Sequence, residues 1–150
     1  MSEDAAMARA ARAPNRRLRL LVLGGTGFLG RHFVAAALAA GHVVTLFNRG
    51  RTDPDAFPDA EHLQGDRKES LAALGTRRWD AVVDTSGHLP AAVRASAESL
   101  AGRVGLYLYV SSVSAYADFS APGVDEDAPL DRRAAAAVTL LPYFHRRLSR

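Results

Sequence analysis

The 150-residue sequence contains no cysteine, which excludes disulfides and thiolate metal sites and fits a reducing compartment. It has no apolar run long enough to cross a membrane, and its N-terminus lacks the apolar centre of a secretion signal. A cytoplasmic protein with no membrane partner is therefore expected. Aromatic residues make up 7%; Arg9 to Arg19 holds none and Arg132 to Arg150 only the adjacent pair Tyr143-Phe144, so aromatic and basic residues do not interleave. A platform for single-stranded nucleic acid would need that interleaving, so the formal charge of +3 does not make nucleic acid the expected partner. The five histidines are scattered, and none lies near the acidic run Asp125-Glu126-Asp127, so no metal site is expected.

Hydrophobic residues at 48% and charged residues at 23% describe an ordinary globular chain, and its length fits one domain. Its centre of organisation is Leu20-Leu-Val-Leu-Gly-Gly-Thr-Gly-Phe-Leu-Gly30. An apolar run stops at Gly24, Gly27 and Gly30, and counting from Gly25 the same residues satisfy G-x-G-x-x-G. The first glycine lets the chain turn off a strand. The middle one lets backbone approach a pyrophosphate, and the last lets a helix pack closely on the strand. A pyrophosphate would then rest on the helix N-terminus, where unpaired N–H groups and the positive dipole end favour an anion. The flanks agree, with an apolar run Leu18 to Leu23 before the turn and a helical pattern after it. That pattern places Leu29, Phe33, Ala36, Ala37 and Ala40 on one face and stops at Gly41. The rival triphosphate loop fails because Arg31 and His32 follow Gly30 where Lys and Ser/Thr are required.

The remainder reads as alternating strands and helices. Met1 to Asn15 is expected to be a mobile tail, and residues 16–131 the body of the domain. Val43 to Phe47 is a second strand and His62 to Gln64 a brief third. Asp66 to Leu74 reads as a short helix, with Asp66 as its cap or as a contact to adenine. Trp79 to Asp84 is a fourth strand, with Trp79 packing at its entry. Pro90 begins a helix through Val93, Ala97 and Leu100 to Gly102, and Leu106 to Val110 is a fifth strand. This alternation predicts an α/β fold, a Rossmann-type doubly wound parallel sheet of order 3-2-1-4-5. At the exit of the second strand, Asn48 stands where an NAD site would carry a carboxylate, and Arg49 follows it. An arginine accommodates the extra phosphate of NADP, so NADP is preferred over NAD, which stays possible.

Taken together, Gly24-Gly-Thr-Gly-Phe-Leu-Gly30, Asn48-Arg-Gly50, Gly65-Asp66 and Val110-Ser-Ser-Val-Ser-Ala-Tyr116 resemble the extended short-chain dehydrogenase/reductases, the NAD-dependent epimerase/dehydratase family, over about residues 17 to 130. The resemblance implies a nucleotide-binding oxidoreductase domain in which Gly24, Gly25, Thr26, Gly27, Phe28, Leu29 and Gly30 hold the pyrophosphate. Asn48 and Arg49 would read the adenosine ribose, Asp66 would lie by the adenine, and Thr85, Ser86, Gly87 and Ser111 would lie along the cofactor. It also makes Ser112 the position of the family's catalytic hydroxyl, which hydrogen-bonds a substrate oxygen while a tyrosine exchanges the proton. Read as residues alone, these serines could equally satisfy backbone at a strand end.

The family's Tyr-x-x-x-Lys pair is absent. Tyr143, with Arg147 four residues on, is the nearest substitute for the acid/base, although a guanidinium does not reproduce the contacts of a lysine ammonium. Residues 132–150 read as an atypical basic tail, partly helical and interrupted by Pro142. Relatives continue into a sixth strand, a catalytic helix and a substrate-binding part, so the chain reads as truncated and its sheet as incomplete on the C-terminal side. An open fifth-strand edge would invite partner pairing or an oligomer. Three readings follow. The first is the cofactor-binding domain of an oxidoreductase acting on an unknown small substrate, with an incomplete catalytic set. The second is a non-catalytic NADP-binding regulatory or partner-binding module, and the third an RNA-binding member of the same fold.

Overall fold

The computed structural model describes residues 16–118, 120, 122–125 and 127–131. Five strands form its centre: β1 Arg19–Leu23, β2 Val43–Asn48, β3 Glu61–Gln64, β4 Trp79–Asp84 and β5 Val104–Tyr109. All pair in parallel in the order β3-β2-β1-β4-β5, the doubly wound order that the alternation of strand and helix signals implies. Helix α1 (Phe28–Ala39) connects β1 to β2, and α2 (Pro90–Leu100) connects β4 to β5. Leu20, Val22, Val44 and Leu46 pack on one face with Val34 and Ala37 of α1. On the other face, Leu21, Leu23, Phe47 and Val82 pack with Ala97 and Leu100 of α2. Both faces of β1 are covered, which is why its sequence is continuously apolar rather than alternating. Each such Leu or Val contributes about 1.5–3 kcal/mol by leaving water.

The helices differ from the sequence pattern in one respect. α2 buries Val93, Ser96, Ala97 and Leu100 with proline in its first turn, as spaced. α1 buries Gly30, Val34 and Ala37, whereas Leu29 is 50% exposed and Ala36 and Ala40 are exposed. The expected apolar face is therefore rotated. The cause is Gly30, where a Cβ would sit 2.8 Å from the Cα of Gly25, so the helix docks through its glycine and small residues follow onto the sheet. α1 ends in a Schellman motif at Gly41, whose φ is 80°; His42 N–H donates to Ala37 O (3.0 Å) and Gly41 N–H to Leu38 O (2.9 Å).

The short helix expected over Asp66 to Leu74 is also corrected, because only a 3₁₀ turn forms at Ala72–Leu74. Ser70 Oγ accepts the N–H of Ala72 at 3.0 Å, diverting a donor that an α-helix would need. Leu74 is the one buried residue of that turn. At the sheet margin β5 is the last strand, with Leu106 45% and Leu108 48% exposed. Among the described residues no helix is long and apolar enough to cross a membrane. The tails expected at 1–15 and 132–150 lie outside the described residues.

Candidate functional site

Register places Leu23 level with Phe47 on one side and with Asp84 on the other, so the exit loops of β1, β2 and β4 open together at the C-terminal end of the sheet. A cleft of about 390 Å³ lies there, lined by Gly24, Gly25, Thr26, Gly27, Phe28, Leu29 and Gly30 from the glycine turn, and by Asn48, Arg49, Asp66, Arg67, Thr85 and Ser86 from the other exits. This is the switch-point position where doubly wound sheets bind ligands.

The glycines serve different ends. Gly24 and Gly25 have φ of 108° and 91°, a backbone that only glycine adopts without strain, and a Cβ on Gly24 would meet Thr85 Oγ1 at 2.7 Å. Gly27 is different: its φ is −83°, and no protein atom lies within 4 Å of where its Cβ would be. Among the described residues neither packing nor backbone strain requires glycine there, and the position leaves open space beside the helix N-terminus. Gly27 also precedes α1, whose N-terminus has no side-chain cap and no acidic residue in its first turn. The first N–H groups of a 12-residue helix are thus left facing the cleft, a fit for pyrophosphate.

At the β2 exit, Asn48 turns inward. Its Nδ2 donates to Gly24 O at 3.0 Å and its Oδ1 accepts from Gly50 N–H at 2.8 Å, so the amide fastens the glycine turn to β2. Arg49 is exposed and lines the cleft with Arg51, Thr52 and Lys68. Asp66 lines it too, and its Oδ1 accepts from Lys68 N–H at 2.9 Å within a turn; the helix it would cap does not form.

Two residues that sequence reasoning did not single out complete the opposite wall. Asp84, the last residue of β4, is fully buried and receives both Nη atoms of Arg67, at 2.6 and 2.8 Å. Tyr107 Oη donates to Asp84 Oδ2 at 2.7 Å, and Ser86 N–H to Asp84 Oδ1 at 3.1 Å. Arg67 further donates to Ser96 Oγ (2.8 Å), Ala92 O (3.1 Å) and Ser86 Oγ (3.3 Å); its buried Nε makes no hydrogen bond among the described residues. Burial alone would lower the Arg67 pKa, but the bonds and charge of Asp84 outweigh it and the net shift is upward. Burial, then the adjacent carboxylate, pushes the Tyr107 hydroxyl far above its ordinary range, so it stays a neutral donor. The available signal was a carboxylate ending an apolar central strand, which cannot be buried without a partner.

Thr85 and Ser86 both donate their hydroxyls to Leu23 O, at 3.2 and 3.1 Å. A second cavity, of about 410 Å³, opens beyond them between the β4 and β5 exits, lined by Thr85, Gly87, His88, Tyr109, Ser111, Ser112 and Ser114 among others. His88 is exposed and lines both cavities, and it too was not singled out from sequence. Ser112 is exposed; its Oγ accepts Ser114 N–H at 3.2 Å, capping the 3₁₀ turn Val113–Ala115. The backbone-satisfying reading of that serine therefore describes its local geometry, while its exposure leaves the hydroxyl accessible from the cavity. Tyr143 lies outside the described residues.

In chemical terms the first cavity offers backbone donors and cations to a phosphorylated ligand, and the second offers hydroxyls to a neighbouring polar one. Comparison with known proteins agrees with this arrangement. The model of the NAD dependent epimerase/dehydratase family matches residues 20–138. The chloroplast stem-loop binding protein of 41 kDa b of Arabidopsis thaliana is 32% identical over 128 residues, covering 73% of this chain and 33% of that protein. Among solved structures, a UDP-galactose 4-epimerase superposes with a TM-score of 0.67 at 20% identity, covering 81% of this chain and 48% of the epimerase. The Bordetella bronchiseptica enzyme WbmG in complex with NAD gives 0.67 at 14% identity, covering 87% and 50%. The chain thus spans about half the length of these solved structures and a third of the curated relative.

Proposed function

The chain belongs to the NAD dependent epimerase/dehydratase family, and from that premise we propose that its cleft binds NADP in preference to NAD, serving an oxidoreductase that acts on a small polar substrate at the neighbouring serine-lined cavity. Gly27 carries this reading, because its missing side chain answers to no protein neighbour while its neighbour helix presents uncapped N–H groups. Gly24 to Gly30 hold the pyrophosphate, Thr85 to Gly87 and Ser111 run along the nicotinamide half, and Asp66 stands at the adenine end. When bound, the coenzyme supplies hydride chemistry; Ser112 would orient the substrate oxygen through its hydroxyl.

Preference for NADP rests on charge. No carboxylate ends β2, the amide of Asn48 is engaged within the protein, and Arg49, Arg51 and Lys68 line the cleft beside it. Arg49→Ala is expected to weaken NADPH binding about tenfold, as for loss of a charge-assisted contact of about 1.4 kcal/mol, and to change NADH binding less than twofold. Thermal-shift titrations with both coenzymes test this, since a ligand of the folded state raises stability by RT ln(1 + [L]/Kd). Equal affinity of the unsubstituted chain for the two coenzymes would refute the NADP preference.

A second reading, RNA binding, is favoured by the 32% identical relative being named a stem-loop binding protein and by the gathering of Arg16, Arg17, Arg19, Arg77 and Arg78 at the opposite end of the sheet, where β1 and β4 begin. Part of that charge is matched, since Arg16 pairs with Asp80 and Arg77 with Glu61. Tight RNA affinity falling steeply with salt would support it. The non-catalytic module is separated from the oxidoreductase by hydride transfer to carbonyl or nucleotide-sugar substrates that Ser112→Ala abolishes.

A further inference from the structure

The geometry points to Arg67 as the positioning residue of the cleft, the side chain that fixes Thr85-Ser86-Gly87 against the glycine turn before any ligand arrives; the inference rests on the dinucleotide reading of that cleft. One guanidinium ties three segments together directly. It stands at the β3 exit, grips the end of β4 through Asp84, reaches Ala92 and Ser96 on α2, and touches Ser86 Oγ. Through Asp84 it also engages Tyr107 of β5. Ser86 passes this on to the glycine turn. Its Oγ donates to Leu23 O at 3.1 Å, and its Cβ lies 3.2 Å from where a Cβ on Gly24 would be.

Stability alone is a poor account of such a pair. Two charges taken out of water gain little net free energy over well-packed apolar residues of the same volume, whereas a satisfied network holds its members in one geometry. Asp84 is fully buried and the Arg67 side chain is nine-tenths buried, so water does not loosen the fork, and both Nη atoms are committed. The strip that results is the one facing the turn across the cleft. A rigid wall in the bound geometry spares a ligand the cost of ordering it.

The test combines hydrogen exchange without coenzyme and binding titrations with NADPH, NADH and AMP, on the whole chain and on Arg67→Met and Ser96→Ala. Ser96 lies outside the cleft lining; its Oγ bonds only Arg67 and, within its own helix, Ala92 O, so Arg67 is the contact through which its loss reaches the cleft. For Arg67→Met, exchange is expected to accelerate at residues 22–28 and 84–88 while the interiors of β1 and β2 keep their protection. Dinucleotide affinity is expected to fall about tenfold and AMP affinity less than threefold. Ser96→Ala is expected to show the same pattern at about two- to threefold. Exchange rising evenly across the sheet, or AMP and dinucleotide affinities falling alike, would overturn the inference and leave Arg67 a structural residue. If Arg67→Met does not fold, Ser96→Ala decides alone, and absence of the localised change there refutes the proposal. If the unsubstituted chain binds no nucleotide, the reading of the cleft fails, while the exchange pattern still shows whether Arg67 holds the strip.

Discussion

The two walls of the cleft are built by opposite means. The β1 wall is made by omission: Gly24, Gly25, Gly27 and Gly30 remove side chains so that backbone can turn, approach and pack. The β4 wall is made by commitment, with the charges of Arg67 and Asp84 buried together and tied to Tyr107, Ser86 and Ser96. At Gly24, Gly25 and Gly30 the first wall has no room for an added atom, at Gly27 it leaves open space, and it depends on no particular charge. The second depends on two charges that are costly to separate and easier to replace together.

Breaking the second wall has the largest expected effect. Asp84→Ala leaves the guanidinium of Arg67 buried without its counter-charge and is expected to cost about 3–5 kcal/mol in a urea melt. Replacing Arg67 and Asp84 together by apolar residues of similar volume is expected to cost much less than Asp84→Ala alone. A double variant as unstable as the single one would mean that the pair is irreplaceable for stability, contrary to the contrast drawn between the walls.

The same wall gives a pH signature. The Tyr107 pKa is raised in the folded state above an unfolded value of about 10. Once pH passes about 10 the unfolded chain loses the phenolic proton while the folded chain keeps it, so stability falls with rising pH by up to about 1.4 kcal/mol per unit. Below that window the group is neutral in both states and contributes no slope. Tyr107→Phe is expected to remove this increment, measured as the difference in denaturant midpoints between the two chains from pH 9 to 11.5. Identical slopes would place the hydroxyl outside the network.

The smallest effect is expected beyond both walls. Ser112 is exposed and caps only a short turn, so Ser112→Ala is expected to change stability by less than about 0.5 kcal/mol and coenzyme affinity less than twofold. Isothermal titration of the two chains checks this. A large loss of coenzyme affinity would bring Ser112 into the cleft itself and weaken the division between coenzyme and substrate cavities.

The contrast also explains what could be read from sequence. Omission leaves a local pattern, three glycines at fixed spacing between an apolar run and a helix, and the strand order followed from such signals. Commitment leaves half of one: Asp84 ending an apolar strand calls for a partner, but Arg67 lies 17 residues away, and an arginine after Gly65-Asp66 looks like any solvated turn residue. His88 escaped for the same reason, being placed between two cavities by the β4 exit rather than by a motif. The face of α1 was misassigned because apolar periodicity gives large side chains the core, whereas this helix docks through Gly30. Asn48 was legible as a missing carboxylate at the end of β2, but its bond to Gly24 O spans 24 residues and emerges only once β1 and β2 are paired. The short helix after Asp66 failed on a single hydroxyl, Ser70, which no periodicity weighs.

The central claim is that the glycine wall receives the phosphates of a dinucleotide, and Gly27→Val tests it most directly. Its Cβ would have no described atom beyond its chain neighbours within 4 Å and its backbone is already extended, so stability is expected to change by less than about 1 kcal/mol. In thermal-shift titrations the unsubstituted chain should be stabilised by NADPH and the variant should not. A variant that still binds NADPH as tightly as the unsubstituted chain would contradict the account.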